Sequence, residues 1–187
     1  MAKSSLICVK NVDEYFGSEQ MRILGIDPGL HITGWGVVDY DGYHLKYVSH
    51  GTIVTKSDDS IGFRLNKIYK ELSNVIEDFS PTEVGIEQVF VNSNPNSSLK
   101  LGMARGTAIC CAGVLGLSVS EYTPNKVKKS VVGVGHATKD QVSTMVQILL
   151  NCGTVKLDAA DALAIAICHA HNRGISNNVS LRSGTYD

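Results

Sequence analysis

The chain has 187 residues, 43% of them hydrophobic and 19% charged, enough apolar content for one compact domain and too much for wholesale disorder. Seventeen Lys and Arg against eighteen Asp and Glu leave a formal charge of −1. No global positive field draws in a polyanion, so any such site has to be local. Five cysteines (Cys8, Cys110, Cys111, Cys152 and Cys168) form no C-x-x-C pair and no even set. That indicates neither a disulfide framework nor a zinc knuckle and fits a reducing cytoplasm. The longest uncharged run, Gly106–Ser120, is shorter than the roughly 20 apolar residues of a membrane span. Broken by Gly113 and Gly116, it reads as a buried helix feeding a strand. Leu6–Val9 is too short for a signal-peptide core, so secretion is not expected.

Residues 1–20 lack sustained periodicity and are expected to form a disordered extension, with the folded unit beginning at Met21. A strand pattern starts abruptly there (Arg22, Ile23, Leu24, Gly25, Ile26) and stops at Asp27-Pro28-Gly29. Three β-rich runs follow, Thr33–Tyr40, Tyr43–Val48 and Gly51–Thr55, the first two joined by an Asp41-Gly42 turn; they predict an antiparallel meander of three strands. Asp58, Asp59 and Ser60 are cap candidates for a helix whose apolar positions Ile61, Leu65, Ile68, Leu72, Ile76 and Phe79 recur every three or four residues until Ser80-Pro81.

Val84–Glu87 reads as a short buried strand. The helix from about Ser97 to Leu115 carries Gly102, Ala104, Gly106, Ala108 and Ala112, small residues suited to close packing. Leu117–Tyr122 is another strand, Pro124 opens a short helix, and Thr138–Leu150 and Asp158–His171 are two more. Residues 174–187 lack apolar periodicity and are expected to be a flexible tail. The fold class implied is α/β, a mixed sheet with helices on both faces, in one domain of residues 21–173.

Four carboxylates sit where a strand or helix holds them. Asp27 ends the first strand, Glu87 ends another, and Asp158 and Asp161 share a face at the start of the last helix. Singly each has a structural reading: a turn cap for Asp27, a solvated strand end for Glu87, a helix cap for Asp158. Asp161 resists one, because it lies between Ala159-Ala160 and the apolar run Ala162–Cys168, where a charge is costly unless paired or bound to a metal. Carboxylates without a Cys or His set suit Mg²⁺ or Mn²⁺. Two such ions about 3.5–4 Å apart are the standard apparatus of in-line phosphodiester hydrolysis.

Charge along the chain fits that substrate. Between Gln88 and Lys139, six basic residues (Lys100, Arg105, Lys126, Lys128, Lys129 and Lys139) face the single acid Glu121, a net +5. Such lysines can hold phosphates, or can simply solvate a helix. Phe90 opens a polar loop three residues after Glu87, placed either to stack on bases or to fold into the core. His169 lies eight residues beyond Asp161, about 12 Å along a helix and too far to ligate with it. His136, in the loop before Lys139, is either a proton carrier or a solvated side chain. Cys110-Cys111 is expected in the core.

The stretches MRILGIDPGLHITGWGVV, IEQVFVNSNPNSSLKLGMARG, VKKSVVGVGHATKDQV and DAADALAIAICHAH, in this order, resemble the RuvC-type Holliday junction resolvases of bacteria. The resemblance covers residues 21 to about 172. It implies a ribonuclease H-like fold and a homodimer that nicks two opposed strands of a four-way DNA junction, leaving 5′-phosphates and 3′-hydroxyls. It also implies dependence on Mg²⁺, with Mn²⁺ as a substitute and up to two ions per subunit, and partnership with the branch-migration proteins RuvA and RuvB. The metal-binding acids of the family map onto Asp27, Glu87, Asp158 and Asp161, its catalytic lysines onto Lys128 and Lys139, and its junction-stacking aromatic onto Phe90. The small-residue helix is implied to lie near the dimer interface. Asp158 stands where some relatives carry His, and residues 1–20 and the tail match nothing in the pattern.

Competing readings are another ribonuclease H-like nuclease acting on RNA or non-junction DNA, and a junction-binding protein that does not cut, which retention of all four acids opposes. An ATP-binding phosphotransferase sharing the first-strand motif is opposed by the small size and the lack of a G-x-x-x-x-G-K-[ST] loop.

Overall fold

The computed structural model describes residues 20–88 and 95–180, with side chains as far as Arg173. Cys8, Phe90, the extension before Gln20 and the last seven residues lie outside the described residues. In chain order the elements are β1 (Met21–Asp27), β2 (Ile32–Tyr40), β3 (Leu45–Val54), α1 (Ile61–Phe79), β4 (Glu83–Glu87), α2 (Pro95–Val114), β5 (Ser118–Tyr122), α3 (Pro124–Val132), α4 (Lys139–Leu150) and α5 (Leu157–Ser180). The sheet order is β3-β2-β1-β4-β5. β1 is antiparallel to β2 and parallel to β4; β3 is antiparallel to β2, and β5 is parallel to β4.

The three-strand antiparallel meander is present, but as β1, β2 and β3. The runs Tyr43–Val48 and Gly51–Thr55 are one strand, β3, rather than two. Ser49 and His50 stay in the ladder opposite Val37 and Gly36, and the register shift falls at Val48, between the pairs Val37–Ser49 and Val38–Tyr47. A bulge at Val48 absorbs the irregularity between the two expected runs, and the ladder carries on through both. Gly51 does not break it either: an added Cβ would meet the Trp35 ring at 2.6 Å, so this glycine makes room for the indole. The Asp41-Gly42 turn is closed by the Asp41 carboxylate, which accepts from the Tyr43 and His44 amides at 2.9 and 2.7 Å.

The helix ends follow their caps. Ser60 accepts from the Phe63 amide, Ser80 takes the left-handed conformation that ends α1, and Thr138 with Gln141 forms a reciprocal capping box on α4. Three expectations need correction. The run from Gly106 is not a wholly buried helix, since α2 buries Ala104, Ala108, Cys111 and Ala112 and leaves Gly102, Met103, Gly106, Cys110 and Gly113 exposed. Small residues on both sides had hidden this one-sidedness. Cys110 is therefore not a core residue, whereas Cys111 is buried with its Sγ 3.3 Å from Ser73 Oγ. The last helix does not end at His171 but continues to Ser180.

Because side chains alternate along a strand, each face of the sheet has its own core. Leu24, Ile26, Val37, Ile53, Val84 and Ile86 pack with α1 and α2, while Ile23, Val38 and Tyr40 pack with α3, α4 and α5. On the second face Gly36, Gly25 and Gly85 stand abreast on β2, β1 and β4. α5 lies directly on them. A Cβ at Gly25 would fall 2.1 Å from the Ala162 carbonyl oxygen, one at Gly36 2.6 Å from Leu163 Cδ2, and one at Gly34 2.0 Å from the Asp158 carbonyl oxygen. The alanines of α5 (Ala159, Ala160, Ala162, Ala164, Ala166 and Ala170) are all buried.

Gly25→Ala is accordingly expected to destabilise the fold by about 3 kcal/mol or more, as overpacking against backbone that cannot yield. Gly113→Ala on α2, where an added Cβ meets nothing within 4 Å, is expected to be stabilising by up to about 1 kcal/mol. Urea denaturation of the two variants measures both.

Candidate active site

β1 and β4 are adjacent parallel strands, paired as far as Ile26 and Ile86. The next residue on each is a carboxylate, so Asp27 and Glu87 stand side by side at the carboxyl ends of the strands, where open α/β sheets bind their ligands. Both share parity with the glycines that α5 covers. The turn after Asp27 is held by Thr33, whose hydroxyl donates to the Gly29 carbonyl at 2.7 Å, rather than by Asp27. Gly34 is the antiparallel partner of Asp27, and its missing side chain lets the backbone of Asp158 close in. The amino end of α5 is thereby delivered to the strand ends. Asp158 lies in the first turn of α5, after Leu157, and is not the residue that precedes the helix.

Asp27, Glu87 and Asp161 line one cleft of about 240 Å³ together with Pro124, Val127, Lys128, Lys139 and Val142. Asp158 does not line the cleft but is close enough to act electrostatically on Asp27 and Lys139. Lys139, at the start of α4, donates to Asp161 Oδ2 at 2.8 Å. Burial first, then the charges of Glu87, Asp161 and Asp158, push the Asp27 carboxyl up to about 8, with Lys139 opposing. Glu87 is raised by burial and by Asp161, against Lys139 and Lys128. The Lys139 ammonium is raised in turn, chiefly by its hydrogen bond to Asp161. Among the described residues no three of these acids close around a point as a metal-ligating cluster; Lys139 is the cation they share. Even so, the cleft is short of positive charge, and its donors are hard carboxylate oxygens, which fits a divalent cation such as Mg²⁺ or Mn²⁺.

The remaining basic residues do not line this cleft. Arg105 is ion-paired with Glu121, and Lys126 lies over the Tyr122 ring at 5.2 Å. Lys100 and Lys129 are exposed, Lys129 in the last turn of α3 where it also suits the helix dipole. His136 is exposed. His169 is buried at the far end of β4, hydrogen-bonded to Glu83 and Tyr122, a network that sequence reading missed. The signal available was parity: Glu83, Gly85 and Glu87 fall on one face of β4.

The family model for crossover junction endodeoxyribonuclease RuvC matches residues 23–169. The chain belongs to the RuvC family. Proteins named as RuvC from Nitrobacter hamburgensis and Rhizobium rhizogenes are 51% and 49% identical to it, over 84% and 82% of this chain and 93% and 91% of theirs. The structure of Thermus thermophilus RuvC in complex with a Holliday junction substrate superposes with a TM-score of 0.78 at 31% identity, covering 83% of this chain and 96% of that one. The yeast mitochondrial Holliday junction resolvase, at TM-score 0.65 and 13% identity, shares the fold. The expected ribonuclease H-like architecture of RuvC is thus present, a mixed five-stranded sheet between helices.

The raised Asp27 makes a prediction about the metal-free protein. The folded state retains a proton that the unfolded chain gives up near pH 3.8, so stability falls as pH rises from about 4 towards 8. Asp27→Asn removes that penalty and is expected to be more stable than the parent by about 1–3 kcal/mol at pH 8, with the difference vanishing near pH 4. Urea titrations in chelator at the two pH values test it.

Proposed function

We propose that this chain is a structure-specific endodeoxyribonuclease that resolves Holliday junctions by paired symmetric nicks, in homologous recombination and DNA repair. The observation that carries the reading is the convergence of Asp27, Glu87 and Asp161 with Lys128 and Lys139 on one cleft, in a chain of the RuvC family. Asp27, Glu87, Asp161 and, beside the cleft, Asp158 would hold divalent metal, Mg²⁺ or Mn²⁺ in its place, up to two ions per subunit. Such ions supply Lewis acidity, which readies a water for attack and offsets charge on the departing oxygen. The carboxylates orient the water and the phosphate by holding that charge in a fixed place. Lys139 and Lys128 meet the non-bridging oxygens of the scissile phosphate, Lys139 exchanging its partner Asp161 for the DNA.

Lys126, Lys129, Lys100 and Arg105 carry phosphate contacts further along the arms, with Arg105 also bound to Glu121. Phe90, three residues after Glu87 in the sequence, is the candidate to stack on unpaired bases at the crossover. A homodimer matches the near two-fold symmetry of the junction. Its support is an open groove of about 480 Å³ between α1 and α2, lined by Leu65 and Tyr69 of the one and Met103, Gly106, Thr107 and Cys110 of the other, with Leu99 on α2 60% exposed. The nuclease unit is residues 21–173, acting in the bacterial cytoplasm with RuvA and RuvB as partners. None of the described helices is long and apolar enough to cross a membrane.

Titrating Mg²⁺ on a mobile four-way junction should give paired nicks at symmetry-related positions, with linear duplex and structured RNA cut far more slowly at equal concentration; preference for either of those defeats the proposal. Asp27→Asn should abolish nicking and leave junction binding within about twofold in a gel-shift assay, since binding rests on phosphates and shape. Lys139→Ala should lower the single-turnover rate by about 10²–10³, while Lys100→Ala changes it little and shows its effect in the salt dependence of binding.

A further inference from the structure

The carboxylate cleft occupies one end of β4. From the other end, along β5, runs a larger polar cavity of about 600 Å³, with Glu83, Tyr122, His169 and Arg173 in its wall. These four residues take no part in the chemistry above, and three of them are among the most enclosed polar groups in the protein: His169 is 1% exposed, Tyr122 6% and Glu83 8%. His169 Nε2 lies 2.5 Å from Glu83 Oε2, and Nδ1 lies 2.9 Å from the Tyr122 hydroxyl. Arg173 closes on Glu83 from the next turn of α5, with Nε donating at 2.9 Å and Nη2 reaching the second oxygen. The Arg173 guanidinium, aided by His169 and against burial, holds the Glu83 carboxyl below its usual range. A carboxylate can only accept, so Nε2 carries a proton and donates, and in the neutral ring Nδ1 accepts from Tyr122.

The placement of these residues on α5 gives the network its consequence. Asp161, Ile165, His169 and Arg173 are spaced four apart and form one stripe along the helix. The stripe descends β4 residue by residue. Asp161 shares a cleft with Glu87, Ile165 and His169 sit against Gly85, and His169 and Arg173 bind Glu83. Between the two ends α5 meets the sheet glycines through Ala162, Ala166, Leu163 and Ile165, an apolar contact that is close but non-directional. His169 and Arg173 supply directional bonds. His169 also ties α5 to both parallel strands at once, Glu83 opening β4 and Tyr122 closing β5, and the Tyr122 carbonyl in turn accepts from the Gln88 amide at 2.8 Å, immediately after Glu87.

We propose that Glu83, His169, Tyr122 and Arg173 form an anchor that fixes where α5 stands along β4 and thereby sets the separation of Asp161 from Glu87. They are positioning residues for the metal site, and this inference rests on the reading of the cleft as a metal-dependent nuclease centre. The scale is adequate: a slip of one residue moves a helix 1.5 Å along its axis, while metal–ligand distances are held to about 0.2 Å, and a misplacement of about 1 Å can cost about 10²-fold in rate.

The test uses the full chain carrying Tyr122→Phe, which removes one hydroxyl, or Glu83→Gln, which keeps an acceptor but loses the charge. Each is compared with the parent at 25 °C by calorimetric titration with Mn²⁺ alone, by junction binding in Ca²⁺, and by kcat and KM for junction cleavage in Mg²⁺. The anchor predicts Mn²⁺ binding weakened three- to tenfold and kcat lowered at least tenfold, with junction affinity and KM within twofold of the parent. Lower melting temperatures with Mn²⁺ affinity and kcat unchanged at 25 °C would overturn it. So would outright unfolding of Tyr122→Phe, which would assign the network to stability. A parent chain that neither binds Mn²⁺ nor cuts junctions brings down the nuclease reading itself; a parent that does both beside unaltered variants brings down only the anchor.

Discussion

The approach of α5 to the sheet is the constraint on which the rest of the molecule depends. Gly25, Gly34, Gly36 and Gly85 offer no side chain on the face that α5 covers, and the helix comes against them with Ala162 and Ala166, with Leu163, with Ile165 and with the backbone of Asp158. Dispersion contacts and exclusion of water reward this intimacy, but the geometric effect matters more for chemistry. A helix carried on larger side chains would stand off from the strands, and the acids in its first turns would hang above Asp27 and Glu87 without meeting them. The glycine at position 34, directly across from Asp27, is where the structural and chemical requirements coincide.

That arrangement gathers like charges, and the fold tolerates the repulsion instead of designing it away. Asp27 is driven to keep a proton near neutrality, Glu87 is pushed the same way, and Lys139 is held by Asp161. A local conflict of this kind, in a protein whose other caps, turns and packing agree with one another, is characteristic of a functional site. The lysine comes from a separate element, α4, whose start is fixed by the Thr138–Gln141 capping box. The balance of charge in the cleft therefore depends on the packing of α4 against α5 as well as on the strand ends.

Much of this was legible in the residues. Ser60, Pro124 and Thr138 mark three helix starts, and the acid within the apolar run of DAADALAIA announces a charge that needs a partner. The misreadings have separate causes. Helical burial is inferred from the contrast between polar and apolar positions, and α2 has little contrast because glycine and alanine suit either side; its exposed flank, including Cys110, was invisible for that reason. The split of β3 arose because polar Ser49 and His50 separate two β-rich runs, whereas the ladder pairs both of them and leaves one residue, Val48, unpaired. The Glu83–His169–Tyr122 network escaped notice because its members lie 86 and 47 residues apart in the chain, and only the pairing of β4 with β5 and the course of α5 bring them together.

The division of the sheet into two unlike faces has an evolutionary corollary. The side toward α1 and α2 is filled by interchangeable aliphatic residues such as Leu24, Ile26, Val37, Ile53, Ile68 and Leu72, where drift among side chains of similar volume is inexpensive. The side toward α5 mixes absent side chains, buried ion pairs and acids, each tied to a particular neighbour, and admits few substitutes. Sequence divergence among functional descendants should consequently accumulate on one side of a single sheet, so that variability alone, mapped strand by strand, would alternate with a period of two.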